Sequence, residues 1–517
     1  MSPTIEPPAV DPAISLTQLA DVYQSRGRYR DAEPLLKQAY ELKAKALGPD
    51  DPELAASLNN LGHLYLVLGH YDQAELLFRQ ALELSRQAGP ADPRSADSLK
   101  SLGDLYAAVG RFEDAESSYL DAIGIRQEAY GSESAEVARA VKGLGSLYQA
   151  LGRYAEAGAR FDEALGIRRV VLGPDDREVA GTLYAIAELE RTLGHFLRSE
   201  QLHAKALDIR ERNLSSSDPD VAQSLRGLAR LHADLGRYEE SRRLNKRVLK
   251  IQEEALGPEN PEVAATLEDL GGDYYRIGDF DKAKELYERA VAIVKSVFGP
   301  EHQRVAGITQ CLSILYEEEG RLDEAESLGR DALRRLEARL GEEHPSVGWS
   351  LNCLADVLLQ KGNYEEAESL YRRALTNAET SFGPDHPAIG RSLLGLSELE
   401  RSRGAYGDAE RLAGQALQIY ERAFGENHRN VAATLQTLAG LKIAANDRVG
   451  AEQLYRRSLA IGEKAVGVSH PAVAPILEEL AALVRDRDED EAEQFEERAS
   501  AIRQRAAQPQ RDSAPAA

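Results

Sequence analysis

The stretch LGPENPEVAATLEDLGGDYYRIGDFDKAKELYERAVAI, residues 256–293, contains the pattern that decides the fold. In residues 264–277 the apolar side chains are spaced three and four apart, as one stripe of an α-helix requires. Gly278 and Asp279 then break the helix, because glycine gives the backbone the freedom that a tight turn needs. A second stripe with helical spacing covers residues 280–293. The stretch therefore predicts two consecutive helices, called helix A and helix B below.

The same pattern returns along the chain at intervals of 42 residues, with two intervals of 41. Each unit has an alanine or a serine near the start of helix B, where a small side chain lets neighbouring helices approach closely. These residues are Ala32, Ala74, Ala115, Ala157, Ser199, Ser241, Ala283, Ala325, Ala367, Ala409, Ala451 and Ala492. Such a period predicts an all-α array in which each helix pair packs on the next, because 517 residues are too many for one compact core.

A glycine ends helix B in most units, and three residues later comes a position suited to capping the next helix A. It is occupied by Asp51, Asp92, Ser134, Asp176, Asp218, Asn260, His302, His344, His386, His428 and His470. The five histidines could instead form a metal ladder. However, consecutive loops of a stacked array lie roughly 8–10 Å apart, whereas zinc needs its ligands at about 2.1 Å from one ion. We therefore interpret the series as N-caps and expect no metal.

Composition narrows the class of function. The chain has 63 basic and 86 acidic side chains and a formal charge of −23, which argues against a nucleic-acid partner, since basic side chains hold phosphates. Only two cysteines, Cys311 and Cys353, are present, and they occupy equivalent positions in adjacent units, so we expect no disulfide and a reducing, cytoplasmic compartment. The first residues carry no signal-peptide pattern, and no apolar stretch approaches the roughly 20 residues of a membrane span.

Catalytic motifs are missing from the sequence. It has no Walker lysine after a glycine-rich loop, no His-Glu-x-x-His and no Gly-x-Ser-x-Gly. Ser146 and Ser397 fall on helix A beside packing positions, not at a strand elbow. We therefore predict a protein that is not an enzyme and that uses no cofactor.

Within one unit, the key positions match the spacings of the tetratricopeptide repeat: Leu58, Leu61, Gly62, Tyr65, Ala74, Phe78 and Ala81. With its period of 42 residues the chain most resembles the long-helix subclass found in kinesin light chains. The resemblance implies a right-handed superhelical solenoid of about twelve repeats over residues 13–506. Residues 1–12 and 507–517 are then expected to be disordered tails.

In the resembled family, the second, fifth, sixth, ninth and twelfth positions of helix A line a concave groove that holds partners. Here these positions pick out Asn59, Asn60, Lys100, Arg139, Lys142, Tyr184, Arg191, Arg226, Arg230, Tyr275, Trp349 and Asn352. Asn60 matches the asparagine with which the family grips a peptide backbone, and its amide can both donate and accept. With the thirteenth position added, the groove positions of the third to sixth units hold six bases and four acids, so we expect the groove there to prefer an acidic segment.

The resemblance implies an adaptor or scaffold that binds partner peptides or domains in this groove. The alternative is a regulatory sensor whose groove holds its own tail or a small ligand. Trp349, the only tryptophan, is expected to face the groove, and the alternative is core packing between units. The sixth unit is expected to be the weakest internal one, because Ser241 and Asn245 stand where alanine and an aromatic are usual.

Overall fold

The computed structural model describes residues 10–89 and 91–507, and all regular structure in these ranges is helical. The A helices are α1 (Val10–Ser25), α3 (Leu54–Val67), α5 (Pro93–Ala108), α7 (Ala135–Ala150), α9 (Arg177–Thr192), α11 (Pro219–Asp234), α13 (Pro261–Arg276), α15 (Gln303–Glu318), α17 (Pro345–Gln360), α19 (Pro387–Ser402), α21 (Arg429–Ala444) and α23 (Ala474–Val484). The B helices are α2 (Tyr29–Leu47), α4 (Tyr71–Gln87), α6 (Phe112–Tyr130), α8 (Tyr154–Val171), α10 (Phe196–Asn213), α12 (Tyr238–Leu256), α14 (Phe280–Phe298), α16 (Leu322–Leu340), α18 (Tyr364–Phe382), α20 (Tyr406–Phe424), α22 (Arg448–Val466) and α24 (Glu489–Ala507). A short 3₁₀ turn, Pro471–Val473, precedes α23.

The twelve helix pairs agree with the predicted number of repeats. Helix α1 begins at Val10, three residues before the expected start of the array, and α24 ends at Ala507. Residues 1–9 and 508–517, which make up most of the two expected tails, lie outside the described residues. The disorder of these tails stays a prediction. Neither cysteine forms a disulfide within the described residues, and Cys353 is buried.

Helix A and helix B of one repeat pack through a small residue on A that faces an aromatic ring on B. In the seventh repeat, a Cβ added to Gly271 would lie only 2.6 Å from Cε1 of Tyr287. No side chain fits in that space without moving the ring, so the close approach of α13 and α14 requires glycine. This contact is the physical reason for the glycine that follows Leu270 in helix A.

The helices divide into two compact units. The first unit runs to Leu189 and also includes Leu197–His232 and Tyr238–Val347. The second unit consists of Glu190–Phe196, Ala233–Arg237 and the chain from Gly348 onward. The two short segments of the second unit are turns between helix A and helix B of repeats five and six.

Within the first unit, the start of α13 lies against the turn between α1 and α2, six repeats earlier. Asn260 accepts a hydrogen bond from the N–H of Glu262 at 2.9 Å and donates through Nδ2 to the carbonyl oxygen of Ser25 at 2.9 Å. The approach is close, because a Cβ on Gly27 would lie 2.7 Å from Cδ of Pro261. Gly27 also has a φ of +72°, a conformation that glycine adopts without strain. Asn260 thus caps α13 and joins it to a residue 235 positions earlier.

His344 makes the same two bonds at the start of α17. Its Nδ1 accepts from the N–H of Ser346 at 3.1 Å, and its Nε2 donates to the carbonyl oxygen of Ala108 at 3.1 Å. A neutral imidazole with its proton on Nε2 can fill both roles, whereas a protonated ring has no acceptor. Burial lowers the pKa of His344, which keeps the ring neutral near pH 7.

In the second unit, His428 and His470 repeat this arrangement against the two short turns. Nε2 of His428 donates to the carbonyl oxygen of Thr192 at 3.0 Å, and Nε2 of His470 donates to that of Leu235 at 2.7 Å. Their Nδ1 atoms accept from the backbone N–H two residues ahead, at 3.1 and 3.2 Å. Burial lowers the pKa of His428 to about 4. His344, His428 and His470 therefore act as caps with a second, donating function.

A backbone N–H donates to every side chain of the series, as predicted. Asp51 accepts in the turn before α3, His470 caps the 3₁₀ turn before α23, and the other members cap a helix A. Repeats two to six use four aspartates and a serine, and an ionised carboxylate can accept but not donate. The described chain has no repeat six positions before these. The change from aspartate to asparagine and histidine thus coincides with the first repeat that has an earlier turn to bind.

We predict that His344→Asp lowers the free energy of unfolding by about 1 kcal/mol, because aspartate keeps the cap but loses the bond to Ala108. His344→Asn should lose less, since asparagine fills both roles at position 260. Hydrogen exchange of the α5 and α17 amides measures the local effect. Asp51→Asn is the matched control, because Asp51 occupies the equivalent position of the second repeat and accepts from the N–H of Glu53. An equal loss in His344→Asn, or in the control, would contradict the donating role.

The polar residues of the sixth repeat have a buried partner in the seventh. Oγ of Ser241 donates to Oδ2 of Asp273 at 2.6 Å, and Nδ2 of Asn245 donates to the same oxygen at 3.2 Å. Asp273 is 1% exposed and occupies the helix A position that Leu231 and Leu315 fill in the adjacent repeats. The departures in repeat six therefore compensate for a buried carboxyl group in repeat seven. That the sixth repeat is the weakest stays a prediction.

Asp273 should make the stability of this interface depend on pH. Burial raises its pKa to about 6, although the hydrogen bonds from Ser241 and Asn245 act to lower it. The pKa in an unfolded chain is about 3.9, so the folded state loses stability as the pH rises from about 4 to about 6, and the loss reaches about 3 kcal/mol at pH 7.5.

We therefore predict that Asp273→Asn, which cannot ionise, slows hydrogen exchange in α12 and α13 more at pH 7.5 than at pH 5, where about half of this loss of stability has occurred. Rates are compared with wild type at each pH after correction for intrinsic exchange. Asp281→Asn, at an exposed position of α14, is the control and should show no such difference. The same change in protection at both pH values would mean that ionisation of Asp273 is not involved.

Candidate functional site

The predicted groove positions form a surface that we call the helix-A face, made of the second, fifth, sixth, ninth and twelfth positions of each helix A. Three asparagines were predicted here. Asn59 is 7% exposed and donates to Oγ of Ser98 on α5 at 3.0 Å, while Asn60 beside it is half-buried. Asn352 is 5% exposed and donates to the carbonyl oxygen of Gly348, one turn earlier, at 3.1 Å. The structure thus places Asn60 at the surface and its two counterparts inside the packing.

Most of the predicted basic residues are paired with acids on the same face. Nζ of Lys100 lies 2.6 Å from Oδ2 of Asp104, one turn ahead on α5. In the second unit, Nη1 of Arg191 lies 2.6 Å from Oδ2 of Asp234, whose other oxygen is 2.8 Å from Arg429. Burial acts to raise the pKa of Asp234, but the two guanidinium groups outweigh it and hold that pKa below its usual value. These cations are already neutralised within the fold.

Arg226 and Arg230 on α11 share an acid on the next helix A. Nε of Arg226 lies 2.5 Å from Oδ2 of Asp269, and its Nη2 donates to the carbonyl oxygen of Ala265 at 3.1 Å. Nε of Arg230 lies 3.4 Å from Oδ1 of the same aspartate. Asp269 is 43 residues after Arg226, one repeat plus one residue, and this offset joins consecutive A helices elsewhere on the face. The charge predicted for the third to sixth repeats is therefore largely cancelled from neighbouring helices.

The two predicted tyrosines differ in how they are held. Tyr184 packs edge-on against the buried ring of His203, with ring centres 5.3 Å apart. Tyr275 is half-buried, and its hydroxyl donates to Glu318 on the next helix A at 3.1 Å. Tyr184 is thus fixed by core packing, whereas Tyr275 keeps a partly open ring on the face.

Arg139 and Lys142 on α7 are the exception among the predicted bases. Within the described residues neither side chain has a hydrogen bond or an ion pair, while Lys100, Arg191, Arg226 and Arg230 all have a carboxylate within 3.4 Å. Arg139 is exposed and Lys142 is half-buried. The positive charge that the fold leaves uncompensated on the predicted face lies on this one helix.

Sequence reasoning missed a set of buried arginines on the B helices behind α7 and the next two A helices. Arg126, Arg168 and Arg210 are at most 3% exposed, and each donates to a backbone carbonyl ten residues ahead, at 2.9–3.3 Å. Their spacing of 42 residues was the signal that could have revealed them. They lock helix B to the next helix A and place fixed positive charge beneath the face.

A sequence profile described as the tetratricopeptide repeat matches residues 11–87, 94–157, 136–212, 220–296, 270–338, 304–380, 346–422 and 399–464. The chain belongs to the tetratricopeptide repeat family. This confirms the resemblance carried by the 42-residue spacing, and the paired helices confirm an all-α solenoid. Membership of the tetratricopeptide repeat family supports a general role in protein interaction.

Three solved structures are similar to parts of the chain. BtubC (BKLC) from P. vanneervenii is 21% identical, with 45% of this chain and 91% of that chain covered and a TM-score of 0.34. A putative kinesin light chain with nearly identical TPR-like repeats from Podosopora anserina is 23% identical, covers 40% and 100%, and has a TM-score of 0.34. A Rap protein complexed with Competence and Sporulation Factor is 16% identical, covers 77% and 99%, and has a TM-score of 0.43. A comparison with curated proteins found no match.

In the part of the chain that the structure describes, no cluster of three or more His, Cys, Asp or Glu side chains could hold a metal ion. None of the described helices combines the length and the apolar character needed to span a bilayer. A cavity of about 580 Å³ opens in the second unit among α18, α19 and α20, with Leu393, Leu396 and Ile419 among its lining residues. The predicted site residues of that unit do not line it.

Trp349 on α17 is 46% exposed, which favours the surface position over core packing. We predict that its emission is close to that of tryptophan in water and that acrylamide and iodide both quench it. The chain has only this tryptophan, so the intrinsic tryptophan signal reports on this position alone. Unfolded protein gives the reference for full access. A blue-shifted emission that neither quencher reduces would place the ring in the core instead.

Proposed function

We propose that the protein is a non-enzymatic adaptor or scaffold that binds a partner peptide or domain on the helix-A face of its first unit. The observation that carries the proposal is the unpaired Arg139 and Lys142 on a face whose other predicted bases are neutralised. Asn60 and the ring of Tyr275 add partly open polar and aromatic surface on the same unit. Groups that the fold leaves without partners are the ones that a ligand can satisfy at low cost.

The unpaired Arg139 and Lys142 also favour an acidic partner segment, but only at α7 and not along all of the third to sixth repeats. Paired cations contribute little net potential at a distance, so the third to sixth repeats do not offer a continuous basic surface. The attraction is concentrated at α7, where one or two acidic residues of the partner would bind. A short basic site of this kind also supports a protein partner over a nucleic acid, which needs many phosphate contacts.

We predict that a random peptide library displayed on phage, selected on the full chain, returns peptides enriched in Asp and Glu. The double variant Asn60→Ala with Tyr275→Ala should weaken binding of the selected peptides at least tenfold, which corresponds to about 1.4 kcal/mol of binding free energy. The matched control removes exposed apolar side chains from B helices, Leu120→Ala with Val170→Ala, which are 47% and 77% exposed. This control should bind as the wild type does.

Two results would reject the proposal. One is equal binding by the two double variants, which would move the site away from the helix-A face. The other is a selection that returns no peptide together with thermal stabilisation by small metabolites, which would favour the sensor. Circular dichroism of both variants shows whether the helices remain intact.

A further inference from the structure

Two buried arginines lie beneath the unpaired cations of α7. Arg168 and Arg210, on α8 and α10, are 2% and 3% exposed, and the Nε atom of each is buried without a hydrogen-bond partner. Their Nη1 atoms donate to Thr182 at 2.6 Å and to Ser224 at 2.7 Å, which fixes both guanidinium groups in place. Two immobile positive charges therefore stand behind Lys142.

Gly181 on α9 leaves space between these cations. A Cβ built on Gly181 would lie 3.9 Å from Nζ of Lys142 and 3.9 Å from Nη2 of Arg210. One point next to the backbone is thus within ordinary contact distance of two cationic nitrogens, and no side chain of position 181 fills it. Gly181 is itself half-buried, so the space lies at the edge of the face.

The acids nearby do not neutralise this place. Glu178 is the nearest, but its carboxylate is 2.7 Å from Nη2 of Arg168. Asp104 forms an ion pair with Lys100, with Oδ2 2.6 Å from Nζ. Asp220 forms an ion pair with Arg177, with Oδ2 3.1 Å from Nη2. Glu178 acts to raise the pKa of Lys142.

Burial lowers the pKa of Lys142 most, and Arg168, Arg210 and Lys100 lower it further. An ammonium group in that environment gains from a negative charge placed against it, because the charge both restores the pKa and supplies the missing hydrogen-bond acceptor.

We propose that Arg139, Lys142 and the open space at Gly181 form a binding site for one oxyanion, either a carboxylate or a phosphoryl group, carried by a partner segment. The proposal rests on the proposed function and names the chemical group that the first unit recognises. Arg139 and Lys142 donate to the anion, and Arg168 and Arg210 strengthen its binding from below without leaving their own partners. The site consists of two side chains on α7 and the space beside the backbone of Gly181. It therefore does not require the same residues in every repeat.

The probes are three capped tetrapeptides of identical length, Ala-Glu-Ala-Glu, Ala-Gln-Ala-Gln and Ala-phosphoserine-Ala-phosphoserine, together with inorganic phosphate. Binding to the full chain is followed by NMR of the lysine ammonium signals and by titration at two salt concentrations. We expect the glutamate or the phosphoserine peptide to shift the Lys142 signal and to bind at least tenfold tighter than the glutamine peptide. A phosphoserine peptide that binds more than tenfold tighter than the glutamate peptide identifies a phosphoryl site, and otherwise the site takes a carboxylate.

The variant Arg139→Gln with Lys142→Met should weaken the tighter peptide at least tenfold and flatten its salt dependence. Lys246→Met, at an exposed position of α12, is the control and should bind as the wild type does. Because Lys142 is an uncompensated cation, its removal should leave the thermal midpoint unchanged or raise it. A structural role for Lys142 would instead lower the midpoint.

Gly181→Asp provides an independent test, because it puts a carboxylate on the chain next to Lys142 and Arg210. This variant should abolish binding of the probes and should not lower the thermal midpoint. Equal binding of the glutamate, phosphoserine and glutamine peptides, or unchanged binding in both variants, would overturn the oxyanion site. That outcome leaves the proposed function standing if library peptides still need Asn60 and Tyr275, so the two failures are distinguishable.

Discussion

The contact on which the array depends most is the N-cap that binds in two directions. A helix A needs an acceptor for its first free N–H groups, and aspartate, serine, asparagine and histidine all supply one. Asn260, His344, His428 and His470 also donate to a carbonyl oxygen 235 or 236 residues earlier. Nearest-neighbour packing alone would leave such distant repeats independent. These bonds couple them and satisfy carbonyl groups at the earlier turns.

Sequence reasoning predicted what a period of 42 residues determines locally. The helix pairs, the small packing residues such as Gly271 and the capping role of the series from Asp51 to His470 all depend on neighbours within a few tens of residues. The donating role of the late caps was out of reach, because the carbonyl that accepts the bond lies six repeats away. The change at Asn260, from aspartate and serine to asparagine and histidine, was nonetheless visible in the sequence.

Partners that lie in another repeat also explain what sequence reasoning missed on the helix-A face. Arg226 and Arg230 have no partner along their own helix, and a charge count over four repeats therefore gave a basic groove. Asp269 pairs with both from the next helix A, at an offset that only the packing of two repeats creates. Ser241 and Asn245 likewise look like defects when repeat six is considered alone, yet both bind the carboxyl group of Asp273. In an array, a substitution is best interpreted together with the residue one repeat further on.

A net charge of −23 does not oppose a local site for an anion. At physiological ionic strength charges are screened over about 8 Å, so the potential at one position is set by the groups next to it. Around Gly181 these groups are Lys142, Arg168 and Arg210, of which only Arg168 has a carboxylate in contact. The acidic surface elsewhere repels an acidic partner at long range while this site attracts it at short range. Such a combination favours short segments with one or two acidic residues over polyanions, because each further negative charge meets the acidic remainder of the chain.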